Sequence, residues 1–276
     1  MPVVVVTDSA ARLPDELIGQ YGIHVVPLHI LVGDRTFCDG VDPNPADLYH
    51  VNASTSGASP TELAATYAAA LAESRGAGVL AVHLSGAFSA TVTSARYAAG
   101  QFDGAVRVLD SRSAAMGTGF VAMVAARAAG EGTPLEAVAA RASETVERTH
   151  AFLIVQRLEN LRRSGRISAT ASWLGSALAL KPLLRITDGE LVLAQRVRTT
   201  SKATAAMIEQ VLDLVGEDRA DLAVHHVQSP DAAAELAATL TSALPGCGRP
   251  LVSELGPVLG VHLGPGALGV VASLQV

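Results

Sequence analysis

Short apolar runs alternate with longer mixed segments along the first half of the chain. The runs are rich in β-branched side chains and cover residues 3–6, 23–28, 79–84, 106–109 and 152–155. They predict buried strands, while the segments between them carry helix-start signals such as Ser59-Pro60 followed by Glu62. This alternation predicts a parallel sheet flanked by helices, which we assign to a first α/β domain of residues 1–156.

Hydroxyl-bearing turns follow several of these predicted strands. Ser85 and Ser89 come after the run at 79–84, where a strand, a tight turn and a helix at 89–99 succeed one another. Thr55 and Ser56 precede the helix that begins at Pro60, on a segment that we interpret as an ordered loop. Three predicted strands end in such turns, at Thr7-Asp8-Ser9, at Ser85 with Ser89, and at Asp110-Ser111. Because the carboxyl ends of parallel strands share one edge of the sheet, the hydroxyls of these three turns are expected to converge, and a junction of this kind suits an anionic group.

The second half of the chain has a different pattern. Asp188-Gly189 lies between two apolar runs and is a strong hairpin signal, as is Gly33-Asp34 in the first half. Further strands are predicted at residues 221–227, 251–254, 258–263 and 267–273, and helices at 158–163, 200–215 and 230–243, with an apolar run at 169–180. This pattern indicates a mixed α/β domain of residues 157–276, with a boundary near residue 156.

Composition and charge narrow the class of protein. The net charge of −6 argues against a nucleic-acid partner, which would require a basic face. Residues 255–276 carry no charged side chain, but their glycines and prolines interrupt any helix, so we expect no stable membrane insertion. The chain has two cysteines and no segment typical of a signal peptide, from which we expect a cytoplasmic location.

Catalytic motifs are scarce in the sequence. It contains no phosphate-binding P-loop, no nucleophile elbow and no zinc-binding motif, and neither Cys38 nor Cys247 lies in a recognisable nucleophile setting. Asp8 and Asp110 end two predicted strands, where paired acids either cap loops or hold a metal ion for catalysis.

A set of hydrogen-bond donors remains, and it suits a carboxylate or a phosphate without an evident nucleophile. Each member also has a purely structural interpretation, such as capping a helix or closing a turn. The set comprises Thr55, Ser56, Ser85, Ser89 and His262, with a basic cluster of Arg162, Arg163 and Arg166.

Seven segments of the chain resemble, in the same order, motifs of the DegV family of bacterial fatty-acid-binding proteins. They are residues 3–9 (VVVVTDS), 55–60 (TSGASP), 84–95, 108–119 (VLDSRSAAMGTG), 158–168 (LENLRRSGRIS), Lys181-Pro182 and 256–269. The resemblance covers essentially the whole chain. Two departures stand out: Gly57-Ala58 replaces the usual Gln-Pro of the first loop, and Ala90 stands where Gly is usual.

The resemblance implies two α/β domains with a long-chain fatty acid, palmitate-like or oleate-like, buried between them. It implies that Thr55 and Ser89 bind the carboxylate and that Arg166 and His262 lie near the acid head. It also implies a non-enzymatic carrier without a cofactor, which presents the acid to a separate fatty acid kinase that makes an acyl phosphate.

Two alternatives remain open from the sequence. One is a metal-dependent enzyme that acts on a small phosphorylated or acylated substrate through Asp8 and Asp110. The other is a regulatory module that does not carry lipid.

Overall fold

A parallel sheet forms the core of the first half of the chain, as predicted. The computed structural model describes residues 2–45, 47–167 and 181–275. The strands lie in the order β2-β1-β6-β7 and are β1 (Val4–Asp8), β2 (His24–Val26), β6 (Val79–His83) and β7 (Val106–Asp110). The helices around this sheet are α1 (Asp15–Tyr21), α2 (Pro60–Ser74), α3 (Thr91–Ala99), α4 (Met116–Gly130) and α5 (Leu135–Glu147).

A small antiparallel sheet is attached to this unit. Its strands lie in the order β4-β3-β5 and are β3 (His29–Val32), β4 (Arg35–Cys38) and β5 (Ala53–Ser56). The predicted hairpin at Gly33-Asp34 is confirmed, since it joins β3 to β4. Thr55 and Ser56, however, lie on strand β5 and not on a loop.

A mixed six-stranded sheet forms the core of the second half. Its strands lie in the order β10-β9-β8-β13-β11-β12 and are β8 (Thr149–Ile154), β9 (Leu183–Thr187), β10 (Glu190–Gln195), β11 (Ala220–His226), β12 (Leu251–Glu254) and β13 (Leu268–Leu274). The remaining helices are α6 (Glu159–Arg163), α7 (Thr200–Val215), α8 (Pro230–Ala243) and α9 (Gly256–Leu263). Together the two large sheets and their helices give the two-domain α/β architecture that the sequence predicts. The apolar run at 169–180 lies outside the described residues.

The predicted strand at residues 258–263 is wrong, because this run forms most of helix α9. His262 therefore lies in the last turn of a helix and not at a strand junction. Pro257 stands at the start of the helix, and Gly264, with φ of +77°, follows its end. The apolar run itself has no periodicity that separates a buried helix from a buried strand.

The assignment of the run at 152–155 to the parallel sheet is also wrong. This run belongs to β8, which pairs antiparallel with β9 and β13 of the six-stranded sheet. Both partners come later in the chain, so the local pattern could not reveal them. The domain boundary near residue 156 stays a prediction.

Helix α4 lies between the two large sheets. It packs on β1 and β6 of the parallel sheet and on β8 and β13 of the six-stranded sheet, and most of its residues are buried. A helix that is packed on several sides is expected to be apolar all round, and the sequence of α4 has this character. None of the helices in the described ranges has the length and apolar character needed to cross a bilayer.

Candidate functional site

An apolar cavity lies where the two halves of the molecule meet. It encloses about 880 Å³ of empty space, including its open mouth. The six-stranded sheet supplies one wall through Ala151, Leu153, Ile186 and Val270, and α9 contributes Val258 and Leu259. The largely apolar lining is typical of sites for small organic ligands.

Five of the six predicted site residues line this cavity. Thr55 and Ser56 come from β5, Ser89 from the turn before α3, Arg166 from the segment after α6, and His262 from α9. These elements are far apart in the sequence, and the fold brings them together as a polar group on a cavity whose lining is mainly apolar.

Thr55 and His262 form the central contact of the polar group. The distance from Thr55 Oγ1 to His262 Nε2 is 2.7 Å. Burial, followed by the positive charge of Arg166, lowers the pKa of His262 to about 4, so the imidazole is neutral at neutral pH. When Nε2 carries the proton and donates to Thr55, the threonine hydroxyl can donate its own hydrogen to a ligand.

The turn that carries Ser89 packs closely against Gly57, which is two residues after Thr55. A Cβ atom at Gly57 would lie 2.6 Å from Thr91 Oγ1 and 3.1 Å from Ser89 Oγ, so only glycine fits there. Ser89 Oγ accepts from the Thr91 N–H at 3.2 Å and lies 2.8 Å from Thr91 Oγ1. Ser89 thus helps to cap α3, although the N-cap position itself belongs to Ala90.

Arg166 brings a positive charge to the polar group. Its Nε donates to the carbonyl of Phe88 at 3.0 Å, and Nη1 donates to the carbonyl of Ser164. Because Phe88 precedes Ser89, this hydrogen bond fixes the guanidinium beside the Ser89 turn. A hydroxyl pair with a nearby guanidinium can compensate the cost of burying a carboxylate.

Ser85, the sixth predicted residue, lies outside the cavity lining. Its side chain is buried, and its Oγ donates to the carbonyl of Gly189 at 2.8 Å. Gly189 is in the turn between β9 and β10, so Ser85 joins the parallel sheet to the hairpin of the other domain. Its partner is 104 residues away in the sequence, which is why the local motif could not indicate this contact.

His225 lines the cavity and was not predicted to do so. Its Nε2 accepts from the N–H of Met116, the first residue of α4, at 3.2 Å, and its Nδ1 lies 3.1 Å from Ser253 Oγ. Burial lowers the pKa of His225 to about 4, so it is also neutral. Its contact with α4 depends on the packing of the two domains, for which the sequence contains no local signal.

Arg12 anchors the helix that carries His262. Its Nε donates to the carbonyl of Glu254 at 3.2 Å, and its Nη1 lies 3.6 Å from Oδ1 of the buried Asp39. The guanidinium covers Gly256, where a Cβ atom would lie 2.5 Å from Cζ. Arg12 therefore packs on the junction between the end of β12 and the first residue of α9.

Asp8 and Asp110 act as caps in this structure. Asp8 Oδ2 lies 2.9 Å from His83 Nδ1 and accepts from the Leu84 N–H at 3.0 Å. Asp110 accepts from the N–H groups of Gly86 and Arg112 at 3.1 and 2.8 Å. Across the described ranges, no three His, Cys, Asp or Glu side chains are grouped so that they could hold a metal ion.

Comparison with known proteins connects this geometry to a family. A DegV domain-containing protein from Mycobacterium bovis is 55% identical over 270 residues, covering 98% of this chain and 96% of the relative. The solved structure of a DegV family protein from Thermus thermophilus, described in terms of fatty acid binding, is 33% identical and superposes with a TM-score of 0.93 over the full length of both chains. Bacillus subtilis DegV, described as a fatty acid binding protein, is 29% identical with a TM-score of 0.88, also over both full lengths.

The family model described as "Uncharacterised protein, DegV family" matches residues 2–275. Since this match spans nearly the whole chain and agrees with the relatives in sequence and in fold, the chain belongs to the DegV family.

Proposed function

We propose that this chain binds a long-chain fatty acid in the cavity between its domains, with the carboxylate held by Thr55 and Ser89. The observation that carries the proposal is that Thr55, Ser89, Arg166 and His262 all line one cavity whose lining is otherwise mainly apolar, apart from the neutral His225. The structures from Thermus thermophilus and Bacillus subtilis, both described in terms of fatty acid binding, support it.

The alkyl tail and the carboxylate head of such a ligand contribute to binding in different ways. Each buried methylene contributes about 0.8 kcal/mol, so a palmitate-like or oleate-like tail contributes on the order of 10 kcal/mol before ordering costs. The head requires hydrogen bonds and a positive charge, because a buried carboxylate without them costs several kcal/mol. The tail therefore sets affinity and the polar group sets orientation.

A carrier role fits the chemistry of the polar group better than catalysis does. The arrangement closest to a nucleophile with its base is Thr55 with His262. An imidazole whose pKa is about 4 is a weak base at neutral pH. Among the described residues, the buried His262 Nδ1 also has no hydrogen-bond partner to orient the ring as a catalytic base requires.

The proposed carrier presents the acid to a fatty acid kinase, which forms the acyl phosphate. A purified kinase with ATP, and with the loaded chain as its acyl source, tests this step by detection of the acyl phosphate.

The binding site itself is tested by the double variant Thr55→Ala with Ser89→Ala. Loss of two hydrogen bonds to a charged group, each worth about 1.5–3 kcal/mol, should weaken palmitate and oleate binding by about 100-fold or more. Titration calorimetry measures the affinity, and solvent extraction with mass spectrometry identifies any acid that copurifies.

Ser54→Ala provides the matched control, because Ser54 is an exposed neighbour on the same strand, β5. This control should bind as the parent does. Unchanged affinity in the double variant would remove the site assignment, and failure of the parent to take up either acid would remove the function.

A further inference from the structure

A cysteine, a histidine and a carboxylate meet on the face of the three-stranded sheet that points away from the core. His29 is the register partner of Cys38 on β4 and of Ser56 on β5, so these side chains form one row on one face. The next pair along these strands, Ile30 and Phe37, points to the opposite face of the sheet and is buried in the core. Glu62, in the first turn of α2, reaches His29 from the side.

The three side chains are in contact in series. Cys38 Sγ lies 3.7 Å from His29 Nδ1, within hydrogen-bond reach for sulfur, and His29 Nε2 lies 2.9 Å from Glu62 Oε1. Glu62 is itself fixed by Ser59, whose N–H and hydroxyl both donate to Oε2. A nucleophile in contact with a base that is oriented by a third group is the arrangement that activates cysteines in enzymes.

The protonation states follow from these partners. Burial acts to raise the pKa of Glu62, but hydrogen bonds from Ser59 and His29 outweigh it, and the pKa lies below its ordinary value. The carboxylate only accepts, so Nε2 of His29 is the donor to Glu62. In the neutral imidazole Nδ1 is then an acceptor that faces the thiol of Cys38, which also has a hydrogen bond with the carboxylate of Asp42.

The groups around Cys38 also restrict which reagents can modify it. Burial, followed by the carboxylates of Asp42 and Glu62, raises the pKa of Cys38, so the resting group is a thiol and its reaction requires a base. The same carboxylates repel anionic reagents. Cys38 is half-buried, which favours a small molecule.

We propose that Cys38 is a modification site for hydrogen peroxide, with His29 as the base and Glu62 as the residue that orients His29. His29 takes the thiol proton while sulfur attacks one peroxide oxygen. An S–O bond forms, the O–O bond breaks, and the proton passes from His29 to the departing hydroxide, which leaves as water. Sulfur is oxidised to a sulfenic acid and the peroxide is reduced. This proposal does not depend on fatty acid binding.

Cys247 is an internal control for the test. It is also half-buried, but its Sγ accepts from the Ala220 N–H at 3.3 Å and has no histidine contact among the described residues. The protein is treated with hydrogen peroxide, sulfenic acid is trapped with dimedone, and the labelling rate at each cysteine is measured by peptide mass spectrometry. Cys38 should be labelled faster than Cys247.

The variants assign the roles. His29→Gln should slow labelling of Cys38 about tenfold or more, in line with the usual size of general-base assistance, and leave Cys247 unchanged. Glu62→Gln, which keeps a side chain able to accept from Ser59, should cause a smaller loss. It should also reduce the Nε2-protonated tautomer of His29 in ¹⁵N NMR spectra, which a merely structural role would not change.

Equal labelling of the two cysteines would overturn the proposal, as would an unchanged Cys38 rate in His29→Gln. Circular dichroism and the Cys247 rate show whether each variant is folded, so a loss through misfolding is recognised.

Discussion

His262 and Thr55 show how burial controls the chemistry of single residues in this protein. A neutral imidazole beside Thr55 leaves the hydroxyl able to donate to a ligand, whereas an imidazolium would itself compete for the anion. Thr55, Ser56, Ser89, Arg166 and His262, which were selected from the sequence, all line one cavity, and their contact with a ligand stays a prediction. The role of Ser85 and the presence of His225 could not be predicted, because both depend on partners in the other half of the chain.

The buried histidines predict a loss of stability in acid. His262 and His225 have pKa values of about 4 in the fold against an ordinary value of 6.5. Between pH 6.5 and 4 the unfolded chain binds more protons, so the free energy of unfolding falls as pH decreases through this window. Each histidine contributes on the order of 3 kcal/mol to this fall, and urea unfolding at a series of pH values measures it.

The variant His262→Gln removes one of these two histidines. The fall in the free energy of unfolding between pH 6.5 and 4 should therefore be smaller than in the parent by about the contribution of one histidine. His50→Gln is the control, because His50 is exposed. An equally steep loss in His262→Gln and in the parent would contradict a neutral, buried His262.

At the scale of elements, the β9–β10 hairpin is held against the parallel sheet at its turn. Ser85 donates to the Gly189 carbonyl, and Arg112 Nη1 lies 3.7 Å from Asp188 Oδ1. The strands of this hairpin carry Ile186 and Leu191, which line the cavity, so the turn contact holds a cavity wall in place. The hairpin itself was predictable because Asp188-Gly189 is a local signal. The helix α9 was not, because a short apolar run between glycines fits a buried strand equally well.

A double-mutant cycle tests the turn contact. Ser85→Ala should cost about 1–2 kcal/mol of unfolding free energy, since the buried Gly189 carbonyl loses its donor. Gly189→Ala should cost more, because φ is +84° and the new Cβ would lie 2.6 Å from Ser85 Oγ. The double variant should cost less than the sum by at least about 0.5 kcal/mol, since removal of the serine hydroxyl also removes the clash.

Gly132→Ala separates backbone strain from steric conflict in this cycle. Its φ is +81°, and a Cβ atom there would meet nothing within 4 Å. It should therefore destabilise less than Gly189→Ala. Equal costs for the two glycine variants, or strict additivity in the cycle, would show that Ser85 and Gly189 do not act together.

At the scale of the whole molecule, the cavity is lined by residues of the three-stranded sheet and of the six-stranded sheet. One end is built on β5 and the turn before α3, and the opposite wall is the six-stranded sheet. The sequence predicts both α/β units, because alternating apolar runs and helix-start signals are local. It does not predict which strands join which sheet, since β8 follows the parallel unit in sequence but pairs with β9 and β13. Strand pairing over such separations depends on the completed tertiary structure.

The position of β13 has a consequence for the order in which the protein is made. This strand lies between β8 and β11 in the six-stranded sheet, and its residues Gly269, Val270 and Val271 form part of the cavity wall. Its neighbour β8 is synthesised long before it. During translation β8 leaves the ribosome before either of its partners. One edge pairs when β9 follows, and the other edge stays open until residues 268–274 emerge. The parallel sheet is complete by Asp110, so the nascent chain holds a finished parallel sheet beside an unfinished six-stranded sheet, and the cavity wall is completed only when β13 pairs.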